Sequence, residues 1–336
     1  MRRALGAAAA ATLAGVAVGG RAVTAYRDVP PELRNLLLLP GGSIKGGRTL
    51  AAARRLAGPT PVVDGVEAVE LAAAGPDGHR VPVIRHRPRD LAAGAGALLW
   101  MHGGGYIAGC AAIDNTYCSM IAAELGVVVV AVDYRLAPEH PFPAALDDCY
   151  AALLWLFEEA EGLGVDPARI AVGGASAGGG LAAALCQQAR DRAEVRPCFQ
   201  LLRYPMLDDR TATRRVPGRR RFVWSPTSNR YGWTCYLGRP PRAESAPAYA
   251  AAARASYVGD LPPAWLGVGD IDLFHEEDVT YARRLSAAGV PVALHVEPGM
   301  YHGADGMAAD APSMRAFRER ENAALRAAIG GLGARP

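Results

Sequence analysis

The chain has 336 residues, 51% of them hydrophobic, which is enough to bury one large core and suits a single α/β domain. Its 36 basic and 33 acidic residues leave a net charge of only +3, which argues against a nucleic acid or a membrane surface as its partner. The six cysteines show no C-x-x-C or other metal-ligand spacing, so we expect reduced thiols and a cytoplasmic protein.

Residues 1–25 are interpreted as an N-terminal extension or a signal peptide. Arg2 and Arg3 precede a run rich in alanine and glycine at residues 4–20, and residues 23–25 resemble a cleavage site. This run contains little leucine or phenylalanine, so we expect no stable membrane span. Secretion is therefore the alternative to the cytoplasmic location.

Strands and helices are predicted to alternate along most of residues 26–336. The predicted strands are 66–71, 80–84, 97–101, 127–132, 169–173, 198–202, 263–268 and 292–296. The predicted helices are 143–161, 181–192, 276–288 and 313–329. Continuous apolar strands are typical of a sheet that helices cover on both faces. The pattern predicts an α/β fold with a doubly wound, mostly parallel sheet in a single domain.

Two segments break this alternation. Residues 28–61 are predicted to form helical pieces that are interrupted at Pro40. Residues 207–256 follow the sixth predicted strand and are rich in arginine, proline and aromatic residues. The arginine cluster at 214–221 is interpreted as a solvated loop rather than a site for anionic substrates, because runs of charge usually face solvent.

Ser176 is the candidate nucleophile. It occupies the centre of the sequence GASAG at 174–178, directly after a predicted strand and before a predicted helix. This context matches the G-x-S-x-G turn that lifts a serine hydroxyl above the edge of a sheet. The neighbours must be small because the strand and the helix nearly touch there. On its own the match also fits simple tight packing of small residues.

A glycine-rich loop follows the predicted strand at 97–101. Consecutive backbone N–H groups can stabilise the negative charge of an acyl-transfer reaction, at about 3 kcal/mol per donor. The expected donors are Gly103, Gly104 and Ala177, the residue after the serine. A flexible turn or a phosphate-binding loop is the alternative, but the spacing fits neither G-x-G-x-x-G nor a P-loop. We expect His102 to brace this loop.

The candidate base and acid follow the serine in chain order, as this kind of site requires. His302 comes directly after the last predicted strand, at the sheet edge where catalytic groups collect. Asp270 and Asp272 both follow the strand at 263–268. Spacing alone does not decide which of the two carboxylates orients the histidine and which caps the next helix.

From about residue 66 to near the C-terminus, the sequence resembles the hormone-sensitive-lipase-like branch of the α/β-hydrolases, the bacterial group IV esterases. The resemblance rests on HGGG at 102–105, DYRLAPEHPFP at 133–143, GASAG at 174–178, YPMLDD at 204–209 and HG at 302–303. It implies a cap formed by segments of about 28–61 and 207–256, and it favours Asp272 as the acid. We assign Tyr106, Met206 and Trp233 to the substrate pocket that such a cap would cover.

Together these features predict a serine carboxylesterase with Ser176, His302 and Asp272 as its catalytic residues and no metal or organic cofactor. The resemblance implies a small-molecule ester substrate with a short to medium acyl chain. An amide deacetylase and a lactone hydrolase are alternatives with the same machinery. A non-catalytic small-molecule receptor is the alternative from another class, and the intact His302 argues against it. The oligomeric state is left open, with a dimer as one candidate.

Overall fold

The computed structural model describes residues 26–27, 29–35, 38, 42–75, 78–214, 222–241 and 244–330. Within them, eight strands form one sheet. They are β1 (Val66–Ala74), β2 (Arg80–Pro88), β3 (Ala95–Met101), β4 (Val128–Val132), β5 (Val165–Ala175), β6 (Phe199–Arg203), β7 (Ala264–Gly269) and β8 (Val292–Glu297). Each predicted strand corresponds to one of them, so the predicted α/β fold is confirmed.

The strands lie in the order β1-β2-β4-β3-β5-β6-β7-β8. β2 is antiparallel to both β1 and β4, and every other neighbouring pair is parallel. In this register Met101 of β3 pairs with Gly174 of β5, and Ala175 pairs with Arg203 of β6. The glycine-rich loop after β3 and the turn after β5 therefore start from the same edge of the sheet, which is where open α/β sheets bind ligands.

The helices of the described residues cover both faces of the sheet. They are α1 (Gly47–Leu56), α2 (Asn115–Leu125), α3 (Ala144–Glu158), α4 (Ala160–Leu163), α5 (Ala177–Arg192), α6 (Pro226–Leu237), α7 (His275–Ala287), α8 (Ala304–Met307) and α9 (Pro312–Ile329). α3 and α5 pack together on one face, and α2 and α9 pack together on the other. Because helices cover both sides, every residue of β3, β4, β6 and β7 is buried.

Several helices differ from the sequence-based prediction, among them the short α8, which was not predicted. The predicted helix at 143–161 ends at Glu158, and α4 follows as a separate short turn. Helix α2 was not predicted, although Gly126 ends it in the left-handed conformation that commonly terminates helices. None of the helices in the described parts of the chain combines the length and the hydrophobicity that a membrane crossing needs.

The segment before β1 and the segment between β6 and β7 contact each other. The hydroxyl groups of Ser43 and Ser225 lie 2.7 Å apart, and Ser228 Oγ accepts the N–H of Ile44 at 3.0 Å. Ser225 also caps the N-terminus of α6 by accepting the N–H of Ser228. Residues 1–25, Pro40 and the arginines at 215 and 219–221 lie outside the described residues. The division into a core and a two-part cap stays a prediction.

Candidate active site

Ser176 occupies a sharp turn between β5 and α5. Its backbone has φ 57°, a conformation that side chains other than glycine rarely adopt and that is typical of a nucleophilic serine at such a turn. Its N–H donates to the Arg203 carbonyl at 2.9 Å, and its carbonyl accepts the N–H of Met206 at 2.9 Å. The close approach requires small neighbours, because a Cβ on Gly178 would collide with the Met101 carbonyl. These contacts hold the serine in its strained conformation.

His302 lies between Ser176 and Asp272. Its Nε2 is 2.9 Å from Ser176 Oγ, and its Nδ1 is 2.9 Å from Asp272 Oδ2. The Asp272 carboxylate is fully buried, and its second oxygen accepts the N–H of Phe274 at 2.8 Å. The rings of Phe274 and Tyr204 meet the imidazole edge-on. The arrangement can pass the serine proton to the histidine while a fixed carboxylate orients the ring.

Asp270 takes a different position. Its Oδ1 accepts the N–H of Gly299 at 2.7 Å, which braces the turn that leads from β8 toward His302. The N–H of Asp270 itself donates to the backbone carbonyl of Glu297 at the end of β8. The structure therefore separates the two aspartates that spacing left open: Asp272 reaches the histidine, and Asp270 holds the loop that carries it.

The glycine-rich loop lies beside Ser176. A Cβ on Gly103 would stand 3.5 Å from the Cβ of Ser176, in ordinary contact. Gly104 has φ 121°, and a Cβ there would collide with the Ala108 carbonyl. Among the described residues, no acceptor takes the N–H of Gly103, Gly104 or Ala177. Three free donors next to the serine can stabilise an oxyanion.

His102 braces this loop from behind. Its ring stacks on Tyr134 at 4.2 Å between centroids, and its Nδ1 lies 2.7 Å from the Gly103 carbonyl. The Tyr134 hydroxyl donates to the carbonyl of His102 at 2.8 Å. Burial lowers the pKa of His102, so this imidazole is neutral.

The three residues assigned to the substrate pocket lie together, but in close packing. The Tyr106 hydroxyl donates to the Met206 carbonyl at 2.9 Å, and the Tyr106 ring stacks on Tyr236 of α6. Trp233, also on α6, lies against both tyrosines. At most 2% of each assigned residue is exposed, and Ser176 itself is only 5% exposed. The three residues join α6 to the glycine-rich loop, and their assignment to the substrate pocket stays a prediction.

Glu277 is a buried residue whose role the sequence did not indicate. Its carboxyl group accepts the N–H of Leu207 at 2.7 Å and that of Asp208 at 3.1 Å, and it is also hydrogen-bonded to the hydroxyl of Thr211. Burial raises the pKa of Glu277 to about 8. The residue fastens α7, which follows Asp272, to the loop after β6. The only signal in the sequence is an acidic pair at the start of α7.

The described ranges contain no candidate metal site, because no three His, Cys, Asp or Glu side chains there lie close enough together to bind an ion. The chemistry available at the site is that of its own side chains: a serine hydroxyl, an imidazole, a buried carboxylate and three backbone donors. This combination can carry out nucleophilic acyl transfer.

Comparison with known proteins indicates the same class of chemistry, the hydrolysis of esters. Residues 98–305 match a family of the alpha/beta hydrolase fold. Esterase LipI of Mycobacterium tuberculosis is 36% identical over 282 residues, which cover 81% of this chain and 85% of that protein. Ethyl acetate hydrolase of Pseudomonas putida is 39% identical over 241 residues, which cover 67% of this chain and 72% of that protein.

A solved structure of a bacterial heroin esterase superimposes with a TM-score of 0.83 at 37% identity, over 91% of this chain and 99% of that one. The matched region spans more than half of the chain, and the similarity to ester hydrolases covers most of it. The chain therefore belongs to the alpha/beta hydrolase fold family and is a carboxylic ester hydrolase of its hormone-sensitive-lipase-like branch.

Proposed function

We propose that the enzyme hydrolyses esters of short to medium acyl chain through an acyl-enzyme on Ser176. His302 acts as the base, Asp272 orients it, and the N–H groups of Gly103, Gly104 and Ala177 form the oxyanion hole. The observation that carries the proposal is the continuous chain of hydrogen bonds from Ser176 through His302 to Asp272, with both steps at 2.9 Å.

Acylation begins when Ser176 Oγ attacks the ester carbonyl. As the new C–O bond forms, the serine proton passes to Nε2 of His302, and the carbonyl oxygen takes the negative charge toward the backbone donors. Asp272 accepts the Nδ1–H and stabilises the imidazolium that results. His302 then returns its proton to the alkoxy oxygen, the bond to the alcohol breaks, and the alcohol leaves.

Deacylation repeats these steps with water as the nucleophile. His302 takes a proton from the water, whose oxygen attacks the acyl carbon. The second tetrahedral intermediate uses the same oxyanion hole. It collapses when His302 returns the proton to Ser176 Oγ, and the carboxylic acid is released. Each group ends the cycle in its starting protonation state.

The enclosed position of the nucleophile supports a small acyl group. Only 5% of Ser176 and 6% of His302 is exposed, and Trp224 packs against Gly105 of the glycine-rich loop. A long acyl chain would require this packing to open. One relative is named an ethyl acetate hydrolase, and the hydrolysis of an ester with so small an acyl group supports the same substrate class.

We also propose that the enzyme works in the cytoplasm. All six cysteines lie in described parts of the chain and have free thiols, which suits a reducing compartment. Fractionation of the source cells should recover a full-length protein with the cytosol. Recovery from the medium, shortened at its N-terminus, would instead support secretion.

The function is tested with p-nitrophenyl esters of increasing acyl length, run beside aryl amides and lactones. We expect the highest kcat/KM with acetyl to hexanoyl esters, and an organophosphonate should label Ser176. Ser176→Ala should lose about 10⁴–10⁶ in kcat. Ser286→Ala, an exposed serine on α7, is the matched control and should keep full activity. Turnover by Ser176→Ala above about one per cent, judged against that loss, would reject the assignment.

A further inference from the structure

Arg203, the last residue of β6, is buried with 5% of its surface exposed. Its Nε donates to Glu321 of α9 at 2.9 Å, and its Nη1 donates to Asp305 of α8 at 3.0 Å. The guanidinium also lies over the ring of Tyr117, at 4.1 Å from its centroid. Apolar residues of similar volume often stabilise a protein core as well as such a buried ion pair does. Stability alone therefore does not explain a charged cluster at this position.

The cluster contacts both members of the proposed serine–histidine pair. The Arg203 carbonyl accepts the N–H of Ser176 at 2.9 Å. Asp305, three residues after His302, accepts the hydroxyl of Tyr204 at 2.8 Å. The ring of Tyr204 meets the His302 imidazole edge-on, with 4.8 Å between centroids. One ion pair thus connects the strand that supports the nucleophile to the loop that carries the base.

The loop needs such an anchor because Gly303, directly after the histidine, has φ 73° and gives the backbone conformational freedom. We propose that Arg203 and Asp305 are a positioning pair that holds the His302 imidazole at hydrogen-bonding distance from Ser176, and that Glu321 anchors the arginine. The inference rests on the proposed function and adds residues that touch neither the substrate nor the reacting atoms.

The pair is tested by removing it in two ways. Arg203→Met leaves two buried acids without their partner, which endangers the fold. The triple variant Arg203→Met/Asp305→Asn/Glu321→Gln removes every charge of the cluster and preserves its shape. In both variants we expect kcat per active site to fall by roughly 10–100-fold, the range that misplaced catalytic groups cost, while KM changes by less than about twofold.

Active sites are counted by titration with an organophosphonate, so that partly unfolded protein does not imitate a loss of kcat. Tyr204→Phe removes the hydroxyl that binds Asp305 but keeps the ring against His302, and it should lower kcat by a smaller factor. Arg135→Met is the matched control, because it breaks an ion pair with the fully buried Asp148 at 2.7 Å elsewhere in the fold. It should lower the melting temperature and leave kcat per site unchanged.

Unchanged kcat per titrated site in both Arg203→Met and the triple variant would overturn the positioning role. That result differs from a failure of the proposed function, in which the wild-type enzyme would not be labelled at Ser176. The proposal would also be overturned if kcat per site fell by the same factor in Arg203→Met and in Arg135→Met, because the loss of any ion pair would then have that effect.

Discussion

One carboxylate oxygen of Asp272 lies 2.9 Å from Nδ1 of His302, while the other accepts the N–H of Phe274 at 2.8 Å. The backbone therefore fixes the rotation of the carboxyl group. An oxygen of the side chain must face Phe274, because the backbone N–H of Phe274 is a hydrogen-bond donor. The other terminal atom of the side chain must then face Nδ1 of His302.

This geometry predicts the effect of Asp272→Asn. The amide oxygen of the asparagine will face the N–H of Phe274, so its NH₂ group will face Nδ1 of His302. The histidine then keeps its proton on Nε2 and loses the ability to accept one from Ser176. We expect kcat to fall by about 10⁴-fold with the fold intact, measured as ester hydrolysis per titrated site.

Asp270→Asn is the paired control, since it makes the same change two residues earlier. Its amide oxygen can still accept the N–H of Gly299, the bond that Asp270 makes now. A loop-bracing bond of this kind contributes about 1 kcal/mol, so the loss of kcat should stay within about tenfold. A larger loss in Asp270→Asn than in Asp272→Asn would mean that the acid is the wrong residue.

The sequence predicts the sheet well because its strands carry a local signal. Runs such as 127–132 contain only apolar residues, and the observed β4 differs from that run by one residue. β1 continues past its predicted end through three alanines that still pair with β2, and β5 begins earlier than predicted at Val165, which pairs with Ala95 of β3 across an irregularity in the register. The motifs at Ser176 and Gly103 were equally visible, because their chemistry depends on neighbours in the chain.

Contacts between residues that are distant in the chain could not be predicted from the sequence. Arg203 pairs with Asp305 and Glu321, which are 102 and 118 residues away, and only the order of β6 and the last helices brings them together. The assignment of Asp272 rather than Asp270 likewise needed either a resemblance or a distance. The packing around the assigned pocket residues was equally invisible in the sequence: the Tyr106 hydroxyl donates to the Met206 carbonyl, whereas the buried indole N–H of Trp233 has no acceptor among the described residues.

Gly104→Ala should disable the proposed oxyanion hole. Gly104 has φ 121°, and a Cβ would collide with the Ala108 carbonyl, so the loop has to move. Displacing one oxyanion donor costs about 10²–10³ in kcat. Steady-state kinetics on a p-nitrophenyl ester should show this loss in kcat with little change in KM.

Gly65→Ala is the control for the backbone conformation alone. Gly65 has φ 84°, and no atom lies within 4 Å of the place of a Cβ. The substitution should lower the free energy of unfolding by about 1–2 kcal/mol, the cost of the left-handed conformation, without changing kcat. Equal kinetic losses in the two variants would argue against a specific role of the Gly104 loop.

Arg54 of α1 should support the same loop from the N-terminal segment. Its Nε donates to the Ile107 carbonyl at 2.8 Å, and its guanidinium forms two bonds of 2.7 Å with Glu139. The N–H of Ile107 in turn donates to the carbonyl oxygen of Gly104. Arg54→Met should therefore lower kcat/KM by roughly tenfold through a displaced loop. Arg48→Met, an exposed arginine on the same helix, should have no effect.

Glu277→Gln should make the enzyme more stable at alkaline pH. Burial raises the pKa of Glu277 to about 8, whereas the same group in the unfolded chain has its ordinary pKa of 4.5. Between these two values the unfolded chain releases the proton and the folded chain keeps it, so rising pH favours unfolding. Below about pH 4.5 and above about pH 8 the two states hold the same number of protons, and this dependence ends.

A glutamine removes the titration and preserves the contacts. Its oxygen can accept the N–H groups of Leu207 and Asp208, and its NH₂ can donate to Thr211. The stability of Glu277→Gln relative to wild type should therefore increase from pH 5 to pH 8, by an amount on the order of a few kcal/mol. Denaturant unfolding at several pH values measures this difference. Glu276→Gln, the exposed neighbour, should show no such trend, and a flat difference for Glu277→Gln would mean that the buried carboxyl is ionised at neutral pH.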